Sequence, residues 1–258
     1  MIIAALEAGR AANHIYHAGF EIHAKADDSP VTTADYVAEE IILRHLARHA
    51  PDIAVVAEEQ AAAGNIPSVA AEFFLVDPLD GTKEFIHRRG DFTVNIALIR
   101  AGVPALGVVY APATGQLFAA DVGAARAVRA GLDPTNPVAT GLQLIHVREV
   151  PAAGVTAVAS RSHRTPETDA YLARYAIADL VAVGSSLKFC LVAAGEADLY
   201  PRLGPTMEWD TAAGHAVLSA AGGQVAGPDG QPLRYGKPQF RNPWFVASGA
   251  FVPHAIAA

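Results

Sequence analysis

The sequence predicts an α/β protein, α+β in its N-terminal half and strictly alternating in its C-terminal half. Two helical patterns open the chain, and five short strand patterns follow with Gly and Pro between them. From residue 155 onward, strand and helix patterns alternate. Short strands between turn signals favour an antiparallel sheet, whereas alternation favours an α/β arrangement. The 258 residues can bury a large core, as one large domain or two small ones.

In the N-terminal half we predict helices over residues 2–18 and 33–49. In the second, apolar residues from Ala34 to Ile42 recur at the three-four spacing of one helix face, and Thr32 or Thr33 is a suitable N-cap. The predicted strands cover residues 53–57, 73–76, 92–99, 104–110 and 116–120. The stretch from Asp121 to Gln143 carries no recognisable motif.

In the C-terminal half we predict alternating elements. The strands cover residues 155–159, 179–183, 197–200 and 244–247, and the helices cover 166–176, 186–195 and 211–221. The change of pattern places a boundary between about Gln143 and Ala153. This boundary predicts an α+β domain over residues 1–147 and an α/β domain over residues 148–258.

Composition narrows the classes of function. A formal net charge of −7 argues against general nucleic-acid binding, which needs basic patches. The single cysteine, Cys190, excludes an intramolecular disulfide, fits a reducing compartment and lies in an apolar helical stretch that predicts a buried, inert thiol. The N-terminus lacks the basic region of a signal peptide, and no apolar run reaches the ~18 to 20 residues of a membrane span. These features predict a cytoplasmic protein with no transmembrane segment; they leave open peripheral membrane contact and the choice between monomer and homodimer.

The most informative motif is Asp77-Pro78-Leu79-Asp80-Gly81-Thr82, which follows the apolar run 73–76. A buried strand that ends in two carboxylates three residues apart directs hard oxygen ligands toward one point. Mg²⁺ prefers such ligands, so the motif is a plausible half of a magnesium site. The alternative is a surface turn, because Pro followed by Asp-Gly is common turn chemistry.

Two further acidic features lie far from this motif in the sequence. Glu58-Glu59 closes the apolar run 53–57, and Asp210 precedes an alanine-rich helical stretch. Taken singly, the first could be a solvated pair and the second a helix N-cap. Taken together, they place carboxylates beside apolar residues that should bury them, which is costly unless the charge is paired or metal-bound. The set predicts a phosphatase site with two or three Mg²⁺ ions.

Three blocks of this sequence resemble signatures of the inositol monophosphatase superfamily, whose members are lithium-sensitive, Mg²⁺-dependent phosphatases of small molecules. The blocks are Glu58-Glu59, Asp77-Pro78-Leu79-Asp80-Gly81-Thr82 and Trp209-Asp210-Thr211-Ala212-Ala213. The resemblance runs from about Lys25 to Gly223. Within the superfamily the chain is most similar to the CysQ-type 3'(2'),5'-bisphosphate nucleotidases, on the segments 83–86, 92–97, 107–112, 160–163, 184–189 and 200–210.

The resemblance implies a layered α-β-α-β-α sandwich with the metal site between its halves. It also implies a ligand set. Glu58, Asp77 and the Leu79 carbonyl would hold a first Mg²⁺, and Asp77, Asp80 and Asp210 would hold a second; many members of the superfamily bind a third ion near Glu58. Asp35, Thr82 and Glu58 are the implied catalytic residues, with Thr82 and Asp35 orienting the attacking water and accepting its proton. Taken without the resemblance, Asp35 could equally be a first-turn residue favoured by the helix dipole.

Substrate contacts are implied at eight positions, most of them in the C-terminal half. They are Asp80, Gly81, Thr82, His163, Ser185, Lys188, Arg202 and Asp210. Ser185 and Ser186 precede a predicted helix whose free N–H groups favour an anion, and Lys188 and Arg202 add positive charge. From the residues alone, Ser186 could instead cap its helix and Lys188 could face solvent.

The activity implied by the resemblance is hydrolysis of the 3'-phosphate of adenosine 3',5'-bisphosphate to AMP and phosphate, which clears a by-product of sulfate activation. The partner is then a phosphorylated nucleotide. The alternative activity is that of an inositol monophosphatase with broad sugar-phosphate specificity. A catalytically silent phosphate-binding or scaffold protein is a third reading, against which the intact acidic set argues.

Overall fold

In a computed structural model that describes residues 1–25, 28–133, 136–160 and 164–256, the chain forms five stacked layers. Helices α1 (Ile2–Ala18) and α2 (Thr33–His49) cover one face of a seven-stranded sheet, and α6 (Leu187–Ala193) and α7 (Ala212–Ala220) cover its other face. The same α6 and α7 pack against a five-stranded sheet, and α5 (Pro166–Leu172) packs against the far face of that sheet. The order is therefore α-β-α-β-α, which confirms the predicted fold class.

The N-terminal half supplies the seven-stranded sheet and the outer helices. Its helices are α1 Ile2–Ala18, α2 Thr33–His49, α3 Glu58–Ala62 and α4 Thr82–Ile86. Strands β1 Ile22–Ala24 and β2 Pro30–Thr32 pair as a separate hairpin. The large sheet consists of β3 Ala54–Ala57, β4 Glu72–Asp80, β5 Thr93–Arg100, β6 Val103–Ala111, β7 Gln116–Asp121, β8 Arg126–Asp133 and β9 Asn136–Leu144 in chain order. Its pairs are antiparallel except β3 with β4, as the short strands with turn signals predict.

The C-terminal half supplies the five-stranded sheet in the order β11-β10-β12-β14-β13. Its strands are β10 Val155–Ser160, β11 Ile177–Val183, β12 Leu199–Arg202, β13 Gln224–Ala226 and β14 Phe245–Ser248. Its helices are α5 Pro166–Leu172, α6 Leu187–Ala193 and α7 Ala212–Ala220, with a 3₁₀ turn at Pro238–Phe240. Strand β10 is parallel to β11 and β12, whereas β14 is antiparallel to both of its neighbours.

The largest hydrophobic core lies between the two sheets and surrounds α6 and α7. It includes Phe73 and Leu75 from β4, Phe189 from α6, Val217 from α7 and Phe245 from β14, all of them at most 2% exposed. Gly107 in β6 permits the close approach of α7, because a Cβ at this position would lie 2.5 Å from the Ala213 carbonyl oxygen. Cys190 is fully buried here and burial raises the pKa of its thiol, which agrees with the predicted inert role.

One predicted helix is too long, and two strands lie in a stretch for which no element was predicted. The helix predicted over residues 166–176 ends at Leu172, because the chain turns there to enter β11 at Ile177. Strands β8 and β9 occupy the stretch from Asp121 to Gln143 that carried no motif. Within the described residues, no helix is both long and apolar enough to cross a membrane.

Candidate active site

Three carboxylates from separate elements converge at one end of the large sheet. One oxygen each from Glu58, Asp77 and Asp210 lies within 4.8 Å of the other two. Strands β3 and β4 run parallel with Ala57 opposite Val76, so the next residue of each strand, Glu58 or Asp77, emerges at the same edge. Asp210 reaches the same point from the segment before α7.

The motif that begins at Asp77 is buried at its start and is not a surface turn. Asp77 is 2% exposed and Leu79 is 1% exposed. The Asp77 carboxylate accepts a hydrogen bond from the Leu79 N–H at 3.0 Å, and the ladder with β5 is interrupted between Asp77 and Asp80. Gly81 has a φ of 95°, and a Cβ there would lie 3.1 Å from the Asp91 carbonyl oxygen, so glycine is needed for the turn.

Asp80 belongs to a chain of polar contacts that joins the two halves of the protein. Asn95 in β5 donates from its side-chain amide to Asp80 at 3.3 Å and to the Ser186 hydroxyl oxygen at 2.9 Å. The Ser186 hydroxyl in turn donates to the Asp210 carbonyl oxygen at 2.7 Å. Ser186 therefore does not cap α6 with its side chain. The bridging role of Asn95 could not be predicted from the sequence. Asn95 lies inside an apolar strand pattern, and its polar side chain is the only signal there.

The segment before α7 is fixed by backbone hydrogen bonds, and Asp210 is not the helix cap. The Asp210 carboxylate accepts from the Met207 N–H at 2.8 Å, and the N-cap position belongs to Thr211. The fully buried Glu208 side chain accepts the N–H groups of Gly236 and Lys237 at 2.8 and 2.9 Å. These contacts hold the loop that presents Asp210 toward the cluster.

Asp35 and Thr82 are brought together at the rim of the cluster. The Thr82 hydroxyl lies 3.2 Å from Asp35 Oδ1 and 3.3 Å from the Leu79 carbonyl oxygen. Asp35 Oδ2 accepts from the backbone N–H and the hydroxyl of Thr32, both at 2.7 Å, and Thr32 caps α2 in a reciprocal capping box. Burial raises the pKa of Asp35 to about 6 even though both Thr32 contacts lower it.

The cluster is electrostatically suited to a cation. Burial raises the pKa of Asp77 and of Asp210 well above the usual value, and the neighbouring carboxylates raise both further. Close carboxylates repel one another in a low-dielectric site, and a divalent cation removes that repulsion. The converging donors are all carboxylate oxygens, a set that suits a hard cation better than zinc. The chemistry of these residues therefore fits a bound metal ion.

The two residues of the Glu58-Glu59 pair differ in their exposure to solvent. The Glu59 side chain is 3% exposed and that of Glu58 is 26% exposed. The Lys25 ammonium lies 2.7 Å from an oxygen of each. Lys25 pairs with both carboxylates, but of the two only Glu58 contributes an oxygen to the converging set, so Glu58 is the member of the pair that faces the cluster.

Two buried cationic side chains, Lys188 and Arg202, lie near the carboxylate cluster. Lys188 is 5% exposed, so it does not face solvent; its ammonium donates to the Ser185 carbonyl and lies 5.4 Å from the centre of the Tyr200 ring. Burial lowers the pKa of Lys188 to about 8, and the Asp80 carboxylate opposes this shift. Arg202 donates to the Pro205 carbonyl at 2.7 Å, while its buried Nε has no hydrogen-bond partner among the residues that the structure describes.

These groups line one cleft of about 520 Å³ between the two halves of the chain. Its walls include all the predicted site residues that the structure describes except Asp35, which contacts the wall residue Thr82. His163, predicted to contact the substrate, lies outside the described residues. A cleft that contains both the carboxylates and the cations Lys188 and Arg202 can hold a phosphate beside a bound metal ion and a second anion beside Lys188 and Arg202.

The fold and this carboxylate site define a class of protein. Residues 2–249 match the model of the inositol monophosphatase family, and the chain belongs to that family. This membership confirms the resemblance seen in the sequence motifs.

Individual proteins of this family are similar to the chain over most of its length. The chain is 45% identical over 247 residues to the 3'(2'),5'-bisphosphate nucleotidase CysQ of Escherichia coli O157:H7, covering 95% of this chain and 96% of the relative. It is 46% identical over 244 residues to the CysQ of Salmonella typhimurium, covering 93% and 95%. The crystal structure of CysQ from Bacteroides thetaiotaomicron superposes with a TM-score of 0.77 at 41% identity, over 96% of this chain and 95% of the other. An inositol monophosphatase from Anabaena superposes with a TM-score of 0.72 at 27% identity, over 96% and 88%.

Proposed function

We propose that this protein is a Mg²⁺-dependent phosphomonoesterase that removes the 3'-phosphate of adenosine 3',5'-bisphosphate, giving AMP and phosphate. The observation that carries the proposal is the pairing, in one cleft, of the converging carboxylates with the buried cations Lys188 and Arg202. The similarity to CysQ nucleotidases over most of the chain supports the same activity. The reaction would act in the cytoplasm on a by-product of sulfate activation.

The residues that would hold the metal are Glu58, Asp77, Asp80 and Asp210, with the Leu79 carbonyl. Bound Mg²⁺, as two ions and in some states a third, would supply charge neutralisation of the phosphate and an acidified water. The chain's own contribution lies in orientation and proton transfer. Asp35, held by Thr32, is placed to accept a proton through Thr82, whose hydroxyl it contacts at 3.2 Å.

The substrate would lie across the cleft with its two phosphates at different walls. The scissile phosphate would lie at the carboxylate wall, near Asp80, Gly81 and Thr82. The non-scissile phosphate would lie near Lys188 and Arg202, because the buried Arg202 Nε has no partner within the described part of the chain and can donate to an anion. Ser185 adopts a left-handed φ of 52°, which turns its carbonyl oxygen to the Lys188 ammonium.

A comparison of three substrates tests the proposed activity. Phosphate release should be measured from adenosine 3',5'-bisphosphate, inositol 1-phosphate and fructose 1,6-bisphosphate at equal Mg²⁺. We expect the highest kcat/KM for the nucleotide. A preference for inositol 1-phosphate would instead establish the inositol monophosphatase alternative, which the Anabaena structure illustrates for this fold.

Metal removal should abolish the activity. We expect no turnover in excess chelator, recovery on addition of Mg²⁺, and inhibition by Li⁺ at the second metal position, because the converging donors are all carboxylate oxygens. The measurement is phosphate release across a Mg²⁺ titration with and without Li⁺. Full activity in excess chelator would contradict the metal mechanism.

Substitution of Lys188 or Arg202 should lower kcat/KM for a bisphosphate substrate much more than kcat/KM for a monophosphate. A charge-assisted phosphate contact contributes roughly 1.5–3 kcal/mol, which is about ten- to a hundred-fold in kcat/KM. We therefore expect Lys188→Ala and Arg202→Ala each to lower kcat/KM for adenosine 3',5'-bisphosphate by about that factor. Hydrolysis of a small monophosphate, the internal control, should change only a few-fold. Equal losses on both substrates would assign these residues to a structural role.

A further inference from the structure

Glu39 is a buried carboxylate on α2 that has no part in the proposed reaction. It is 3% exposed, yet both of its oxygens have partners on another helix. Oε2 accepts the Glu59 N–H at 2.8 Å, and Oε1 accepts the Gln60 N–H at 3.1 Å. Both N–H groups belong to the first turn of α3, which begins at Glu58.

Helix α3 depends on contacts of this kind. The first N–H groups of any helix lack partners within the helix, and the N-cap residue of α3, Ala57, offers no side-chain acceptor. A helix of only five residues is also unstable by itself. The carboxylate of Glu39 therefore serves as the cap of α3, supplied from a different helix.

The capped turn carries a member of the carboxylate cluster. Glu58 occupies the first position of α3, and its side chain converges with Asp77 and Asp210. Glu39 follows Asp35 by four residues, so the two carboxylates lie on the same face of α2. One helix face thus contacts Thr82 through Asp35 and the Glu58 turn through Glu39.

We propose that Glu39 is a positioning residue that orients Glu58 for binding a divalent cation by fixing the first turn of α3. The inference rests on the proposed function of the carboxylate cluster as a metal site. Glu39 acts through backbone amides and contacts neither the ion nor the substrate. Residues that orient metal ligands typically change metal affinity by about 10- to 100-fold when they are replaced.

The test compares two neighbouring substitutions on α2. In Glu39→Gln, the new amide can accept only one of the two N–H groups and directs its own NH₂ toward the other. Glu40→Gln is the matched control, because Glu40 is 78% exposed and contacts only Arg44 among the described ion pairs. The probe is Mn²⁺, titrated into the substrate-free protein and followed by electron paramagnetic resonance. We expect about tenfold weaker Mn²⁺ binding for Glu39→Gln and no change for Glu40→Gln.

Activity measurements give a second readout that a structural role alone would not produce. In Glu39→Gln the Mg²⁺ concentration for half-maximal rate should rise about tenfold, while kcat at saturating Mg²⁺ stays within about threefold of the wild-type value. Combined with Glu58→Gln, the substitution of Glu39 should have little further effect on Mn²⁺ binding, because the ligand through which it acts is already lost.

Unchanged Mn²⁺ binding in folded Glu39→Gln would overturn the proposal. If Glu39→Gln does not fold, Glu39→Asp takes its place in the same Mn²⁺ titration, and unchanged binding again overturns the proposal. The shorter carboxylate keeps the charge but cannot span both amides. Failure of the proposed substrate activity would leave the Mn²⁺ titration interpretable, because no substrate is present in it. The two failures are therefore distinguishable.

Discussion

Asp77→Asn is expected to lower kcat for adenosine 3',5'-bisphosphate by about 10³-fold, because the amide removes a charge at the point where three carboxylates converge. Asp77 is the most buried of the three, so no solvent-exposed group can replace it. The measurement is single-turnover phosphate release at saturating Mg²⁺, together with circular dichroism to establish that the variant is folded.

The matched control is Glu59→Gln, a second substitution of a buried carboxylate by its amide beside the site. Glu59 pairs with Lys25 beside the site and does not belong to the converging set, so it can act only through its neighbours, and the loss in kcat should stay within about tenfold. Equal losses in Asp77→Asn and Glu59→Gln would mean that the roles of Glu58 and Glu59 are exchanged.

Asp35→Asn is expected to lower kcat by about 10²- to 10⁴-fold, the usual contribution of a general base. The same residue should set the acidic limb of the pH profile. Its pKa is raised to about 6 in the folded protein, and only the ionised carboxylate can accept a proton. Activity should therefore fall as the pH falls through about 6, and Asp35→Asn should remove that limb from the residual rate.

Thr32→Val provides a check on the origin of this pH dependence. The Thr32 hydroxyl donates to Asp35 and lowers its pKa, so its loss should move the acidic limb to higher pH while the rate on the alkaline plateau changes little. The backbone N–H of Thr32 still holds the carboxylate in place. A profile that is identical in wild type and Thr32→Val would assign the acidic limb to another group.

The two outer helices could be predicted from the sequence to the residue. Their apolar spacing is regular, and the second has a capping residue, Thr32, three positions before Asp35. Local signals were sufficient because each helix is 17 residues long and buries one face.

Helices α3 and α4 and strands β8 and β9 could not be predicted, because their causes are not local. Helices α3 and α4 have five residues each, too few to show a period, and α3 depends on Glu39 from α2. Strands β8 and β9 lack a clear apolar alternation, and they form as an extension of an existing sheet.

For the site, the sequence motifs predicted the carboxylates but not the residues that fix them. Asp77 and Asp80 could be predicted because strand, Pro and Gly signals lie next to them. The buried state of Lys188 was undecided from the sequence, since a lysine within an apolar helix can also reach solvent. Asn95 and Glu208 act on partners far away in the chain, so no short motif predicts their roles.

The hydrogen bond from Ser186 to the Asp210 carbonyl, with Asn95 behind it, has a consequence for stability. These contacts cross from the seven-stranded sheet to the segment before α7, so the carboxylate cluster exists only while the two halves are docked. An ion held there binds the docked state alone and raises its free energy of unfolding by RT ln(1 + [ion]/Kd). Without the ion, repulsion among Glu58, Asp77 and Asp210 acts to separate the halves. A cation bound to this cluster would therefore also cross-link the two halves of the chain.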